Sequence, residues 1–286
     1  MKKDKVIPAT FDPVFKALLT SEECREYLAD LIHIVTKIPK KDIVDNIVIK
    51  NSEHMNNNAN EKRKISDLIV DVLNNRINLE MNKEYYEGLF SKNNAYQHKI
   101  ASEQFLSGES YLEEKKIIQI NFDMFTKFDE RKIIKFMIMD TERHIIEDAN
   151  YEKYHVNLDL INKLYYNKNE LSKEDRELLL LTMEDVREIE KIVEDDDTMK
   201  KAKEKLVDLS EDTELVGMYD KEIVERKVNN TKLLYAEKVA KEQGIKEGID
   251  KTKKEMVINM LKENADIKFI SKVTGISEKE ILKLKG

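Results

Sequence analysis

Two short runs of β-branched and aliphatic residues, 65–73 and 77–81, flank the dipeptide Asn74-Asn75, and this arrangement constrains the chain more than any other feature. Asparagine tolerates positive φ, so the three parts read as a β-hairpin. The neighbours of the hairpin supply the other layers of a domain. Residues 15–38 have helical spacing (Phe15, Leu18, Leu19, Leu28, Leu31, Ile32, Ile38) and Pro39 closes them. Residues 43–49 read as a strand, and the polar tract 51–60 reads as a loop. A helix is expected over 85–106, with Ser107-Gly108 at its C-terminal cap. Residues 117–122 and 136–139 read as further strands. Helices alternating with short strands in this order imply an α/β fold, a mixed central sheet flanked by helices.

Beyond about residue 157 the character changes. All three prolines lie in the first 39 residues, so the rest of the chain is free of that helix breaker. Segments 175–193 and 199–209 are amphipathic and highly charged, and 211–264 read as long helices. The apolar positions there are sparse (Leu234, Val239, Ile245, Ile249, Met256, Met260), which suits a narrow seam for homo-oligomer formation. Gly244 and Gly248 each weaken such a helix by about 1 kcal/mol relative to alanine, so a hinge is expected there. At the end of the chain Asp266 reads as an N-cap, Thr274-Gly275-Ile276 as a turn, and Ser277 to Glu280 as a capping box. These pieces form either a helix-turn-helix-like unit or a small helical cap. The expected division is a core over 1–156, a helical region over 157–230, and a charged long helix with its small tail over 231–286.

Composition narrows the function classes. Charged residues make up 37% of the chain and hydrophobic ones 41%, the mark of a heavily solvated, helix-rich protein. No apolar run approaches a membrane span, and the N-terminal stretch is too short for a signal-peptide apolar region. A cytoplasmic protein is expected. A single cysteine, Cys24, rules out an internal disulfide and a cysteine-rich zinc site. A net charge of −7 argues against a generic nucleic-acid coat but leaves room for small basic patches such as Lys62-Arg63-Lys64 and Lys99. The histidines show no metal-ligand spacing, and the glycines form no phosphate loop.

The chemistry concentrates in the hairpin. A strand period of two puts Asn78, Glu80 and Asn82 on one face and Ile77, Leu79 and Met81 on the other. Asp67 falls across from Glu80 or one residue away. Two carboxylates converging among apolar strands are costly unless their charge is compensated, and a divalent cation compensates it. Magnesium takes oxygen ligands and keeps several waters, so two carboxylates and a backbone carbonyl suffice. Such an ion activates water and stabilises a phosphate transition state. A half-exposed hairpin with an acidic solvent face has the same pattern, so spacing alone leaves both readings open.

Longer stretches carry a resemblance. They are Thr10-Phe11-Asp12-Pro13-Val14-Phe15-Lys16, Lys64-Ile65-Ser66-Asp67-Leu68-Ile69-Val70, Ile77-Asn78-Leu79-Glu80-Met81-Asn82, Gln104-Phe105-Leu106-Ser107-Gly108-Glu109-Ser110-Tyr111, Ile117-Ile118-Gln119-Ile120 and Thr274-Gly275-Ile276-Ser277. In this order they resemble the recombination-promoting nuclease family, which is of the PD-(D/E)XK transposase type. The resemblance implies a restriction-endonuclease-like core followed by an all-helical C-terminal extension. It also implies a DNA endonuclease that hydrolyses phosphodiester bonds with magnesium, or manganese in its place, in recombination, mobile elements or genome defence. Asp67 and Glu80 then become metal ligands and, with Asn82, the catalytic residues; Asp12 is a further metal contact or else a helix N-cap. Position 82 is glutamine in most of the family and lysine in the wider superfamily, so Asn82 is a departure. The arginine expected at the start of the following helix is absent, and Lys92 or Lys99 stands in its place. With Lys16 and Lys64 these lysines are the candidate DNA contacts. The departures leave an alternative, a catalytically degenerate nuclease fold that binds DNA or assembles into oligomers.

Overall fold

The computed structural model describes residues 4–50, 67–104 and 114–284. Two units, 1–219 and 220–286, each enclose a core of their own. In the first, β1 (Val48–Lys50), β2 (Leu68–Val72), β3 (Asn75–Asn82), β4 (Lys116–Asp123), β5 (Ile133–Met139) and β6 (Ile146–Asn157) form one sheet in the order β1-β2-β3-β4-β6-β5. The pairs β3/β4 and β4/β6 are parallel and the outer pairs antiparallel. The chain is thus α/β with a mixed sheet, as its sequence implies.

The two faces of the sheet differ in kind. On one, Leu79, Ile120, Phe122 and Val156 join Phe15, Leu28, Leu179 and Leu206 in the main core. Those partners belong to helices α1 (Asp12–Thr20), α2 (Arg25–Thr36), α6 (Lys173–Leu180) and α8 (Asp197–Glu211), with α3 (Lys40–Asn46), α5 (Leu158–Tyr166) and α7 (Val186–Val193) among them. Each fully buried side chain of this size contributes about 1.5–3 kcal/mol. The helical region after residue 157 therefore shares the core of the sheet as far as the first turns of α9 (Thr213–Lys262), where Leu215, Val216 and Tyr219 pack. The opposite face is polar and lies under α4 (Leu89–Ser102), with a small apolar patch of Ile69, Ile100, Ala101 and Ile117 at one end.

Several elements differ from expectation for local reasons. The stretch 15–38 is broken at Ser21, whose backbone is extended and whose hydroxyl donates to the Leu18 carbonyl, so α1 and α2 are separate. The β-branched run 43–49 is mostly α3. Ile43 and Ile47, four residues apart, are the buried positions, and the Arg25 guanidinium donates to the Val44 and Ile47 carbonyls at the helix end. The helix after the hairpin starts later and ends earlier than expected, between Gly88 (φ +98°) and Glu103; Ser107-Gly108 lie outside the described residues, as does the tract 51–60. In the hairpin the positive φ falls on Leu73 (+53°) rather than on either asparagine. Strand β6 has no counterpart in the sequence reading. Gly244 and Gly248 lie within one uninterrupted α9.

In the second unit Val257, Ile270 and Ile281 form a small core between the end of α9, α10 (Ile267–Thr274) and α11 (Glu278–Leu284). The caps read from the sequence are present. The Asp266 side chain accepts from the Phe269 N–H, Gly275 adopts φ +71°, and Ser277 and Glu280 exchange the hydrogen bonds of a capping box.

One buried acid gives a stability prediction. Glu177 has an oxygen with no hydrogen-bond partner, and Lys173 approaches it only to 3.6 Å. Burial, and then the Asp30 charge, pushes its carboxyl up to about 7. A folded-state value above the unfolded one favours folding at low pH, and that advantage is lost as pH rises through it. Glu177→Gln is expected to gain about 1–2 kcal/mol over the native chain at about pH 8 and nothing near pH 4, read by urea melts. An offset independent of pH would assign the effect to packing instead.

Candidate functional site

The pairing of β2 with β3 matches Leu68 to Leu79, which brings Asp67 opposite Glu80. The Asp67 N–H donates to Glu80 Oε1 at 3.3 Å, and Asp67 Oδ2 accepts from the Met81 N–H at 2.7 Å. Asn78 Nδ2 donates to Glu80 Oε1 at 3.2 Å. Glu80 is fully buried, and its second oxygen, Oε2, has no hydrogen-bond partner. Lys92 Nζ on α4 lies 3.8 Å from that oxygen. Both carboxyls are pushed above the usual carboxylate range. For Glu80 the causes are burial and then the Asp67 charge; for Asp67 they are burial and then the Asp12 charge.

The charges of Lys92 and Lys83 do not offset the burial of the two carboxyls, and one Glu80 oxygen is left without a hydrogen-bond partner. A hard divalent cation with oxygen ligands fits this donor set. Among the described residues no group of three or more histidine, cysteine, aspartate or glutamate side chains is gathered for a metal, so the pair would need other oxygens to complete a shell. Asp12 lies near enough for its charge to raise Asp67, and Lys83 Nζ is 3.4 Å from its carboxylate. It makes no capping hydrogen bond, and Phe11 occupies the N-cap position of α1.

Parallel pairing extends the polar face across the sheet. Glu80 matches Asn121, which matches His155; Asn82 matches Asp123. Asn82 is buried and its Nδ2 donates to Asp123 Oδ1 at 2.7 Å, while Asp123 Oδ2 meets His155 Nδ1 at 2.6 Å. Rings of Phe90, Phe128 and Phe136 surround His155 with centroids 5.0–5.7 Å away. Asp123 and His155 escape a reading confined to the hairpin. A polar residue at every second place in β4 (Gln119, Asn121, Asp123) is the signal that marks that strand's face.

The lysines separate. Lys92 reaches the carboxylate pair, whereas Lys99 lies 3.7 Å from Glu103 on its own helix. Lys16 is exposed on α1, and Lys64 lies outside the described residues. Lys83, directly after Asn82, approaches both Asp12 and the Phe11 ring and was not among the expected contacts.

No helix among the described residues is long and apolar enough to cross a membrane. Comparison with curated proteins and with solved structures gave no match. A family model described as PD-(D/E)XK nuclease family transposase matches residues 9–232, a span that includes the sheet, α4 and the carboxylate pair.

Proposed function

Because the chain belongs to the PD-(D/E)XK nuclease family transposases, we propose that it is a magnesium-dependent endonuclease that hydrolyses phosphodiester bonds in mobile or recombining DNA. The observation that carries this reading is the convergence of Asp67 and Glu80 on buried strands with one oxygen left unpaired. Asp67 and Glu80 hold the cation; magnesium, or manganese in its place, supplies positive charge where charge develops on the phosphate. Lys92 lies beside the pair as a fixed cation for a phosphate oxygen. Asn82, its amide held by Asp123, orients water or a phosphate oxygen. Lys16, Lys64 and Lys99 are further phosphate contacts, and the C-terminal helices mediate self-association.

Cleavage of supercoiled plasmid tests the proposal. The purified chain is expected to nick with magnesium, to stop when a chelator is added, and to slow by about a hundredfold or more in Asp67→Ala. Equal nicking by native and variant protein would trace the activity to a contaminant. One observation favours a second reading, a nuclease fold that binds DNA without cutting it: the residue at position 82 is an uncharged asparagine already engaged by Asp123. Plasmid bound but uncut with either metal would select that reading.

A further inference from the structure

The polar face of the sheet continues past Asp123 into a cavity of about 340 Å³ between α4 and the β5–β6 edge. Neither Asp67 nor Glu80 lines it. Its walls are the rings of Phe90, Phe128 and Phe136 around His155, with the amides of Asn93 and Gln97 on the helix side. Phe128 stacks one face on Phe90 yet stays 45% exposed, and Phe136 is 40% exposed, so part of their ring surface is open to a ligand. A pocket of this size, mostly apolar with a few fixed polar groups, is the usual form of a small-ligand site.

One of those polar groups is unpaired. Asn93 is 1% exposed, and its Oδ1 has no hydrogen-bond partner. Its orientation is dictated by neighbours, not chosen. Asn121 Nδ2 donates to the Tyr154 carbonyl at 3.0 Å, so Asn121 Oδ1 must accept, and it does so from Gln119 Nε2 at 3.1 Å and Asn93 Nδ2 at 2.9 Å. Asn93 therefore presents its oxygen elsewhere. The same chain runs on to the carboxylate pair: Gln119 Oε1 accepts from Asn78 Nδ2, which also donates to Glu80 Oε1.

We propose that this cavity receives an unpaired nucleobase of the DNA, stacked on the open ring faces and donating an N–H to Asn93 Oδ1. A purely apolar ligand would leave that buried oxygen unsatisfied. An anion would meet the unpaired amide oxygen, and the lining lysine, Lys153, already donates to Asn94 while Glu152 is paired with Lys116 and Lys135. A nucleobase combines a π face with N–H donors on its edge, which is what the walls require. A base inside a duplex offers neither face, so the substrate class is single-stranded DNA or DNA with a flipped nucleotide. Lys92 and Asn93 are consecutive on α4, which sets the base site beside the phosphate site. The inference rests on the nuclease reading and specifies its substrate.

The test uses the full chain with chelator, so that nothing is cut. Single-stranded oligonucleotides carry one fluorescent 2-aminopurine, or an abasic position in its place, and binding is followed by anisotropy. On native protein the 2-aminopurine signal is expected to be quenched by about threefold or more through stacking. Phe128→Ala, a substitution at a half-exposed ring, should abolish the quench and weaken that strand by about tenfold while leaving the abasic strand unchanged. Strands bound by native protein without quenching, or a quench that persists in Phe128→Ala, overturns the base pocket and leaves the nuclease reading intact. Failure to bind any strand also overturns the base pocket, while magnesium-dependent nicking of plasmid decides the nuclease reading separately.

Discussion

Glu80→Gln is expected to be more stable than the native chain without metal, by roughly 2 kcal/mol at about pH 8, and slower at cutting DNA by about a thousandfold or more. The stability gain follows from the linkage sign. Burial and the facing Asp67 charge raise the Glu80 carboxyl above its ordinary range. Such a group favours folding below its unfolded value and loses that contribution as pH rises through the folded one. Glutamine keeps the shape and removes the charge, so the advantage of the variant should grow from pH 5 to pH 8. Magnesium should reverse the order, because a cation that binds only the folded native chain stabilises that chain alone. Thermal melts at two pH values, with chelator and with magnesium, read both effects, and single-turnover cleavage reads the rate. A variant less stable than native in chelator would mean that Glu80 serves packing instead of the metal.

The second large effect is expected at Asp123. Its carboxylate holds Asn82 on one side and His155 on the other. Asp123→Ala leaves two buried donors without a partner, at about 1–3 kcal/mol each, so a loss near 4 kcal/mol is expected in a urea melt. Asp123→Asn restores one acceptor and should recover about half. Cleavage carries the distinguishing information. If Asp123 fixes the Asn82 amide, Asp123→Ala should lower kcat by about tenfold or more while KM for DNA stays within about twofold, the pattern of an interaction made in the transition state. A rise in KM with unchanged kcat would assign Asp123 to DNA binding.

The hairpin was legible because two signals coincide there, strand alternation and a pair of acids placed to face each other. Its register was also within reach: a two-residue turn fixes which residues are opposed. The turn itself differs from the expected one, since Leu73 and not an asparagine takes the positive φ. Strand β6 was hidden because its buried residues include Glu152, His155 and Asn157, which alternation of apolar residues does not register. A strand that presents a polar face to a covering helix looks like a loop when only hydrophobicity is counted. Residues 43–46 depart the opposite way, helical where a strand is expected, while Val48 and Ile49 do lie in β1; β-branched residues mark strands only when packing agrees. Lys92 was identifiable as a candidate from its place after the hairpin, but its preference over Lys99 depends on where α4 crosses the sheet. Asp123 and His155 depend on strands being parallel neighbours, and no local pattern states that.

The division of the sheet into an apolar and a polar face also specifies how its strands align. Because side chains alternate, sliding β3 by one residue against β2 or β4 would send Asn78, Glu80 and Asn82 into the hydrocarbon layer and turn Leu79 and Met81 toward α4. Such a mispaired register would bury charge without a partner, a cost that the native pairing avoids. The polar residues under α4 therefore also disfavour a shifted strand register. A chain with those positions made apolar would have two similar sheet faces, and its register would be less sharply specified.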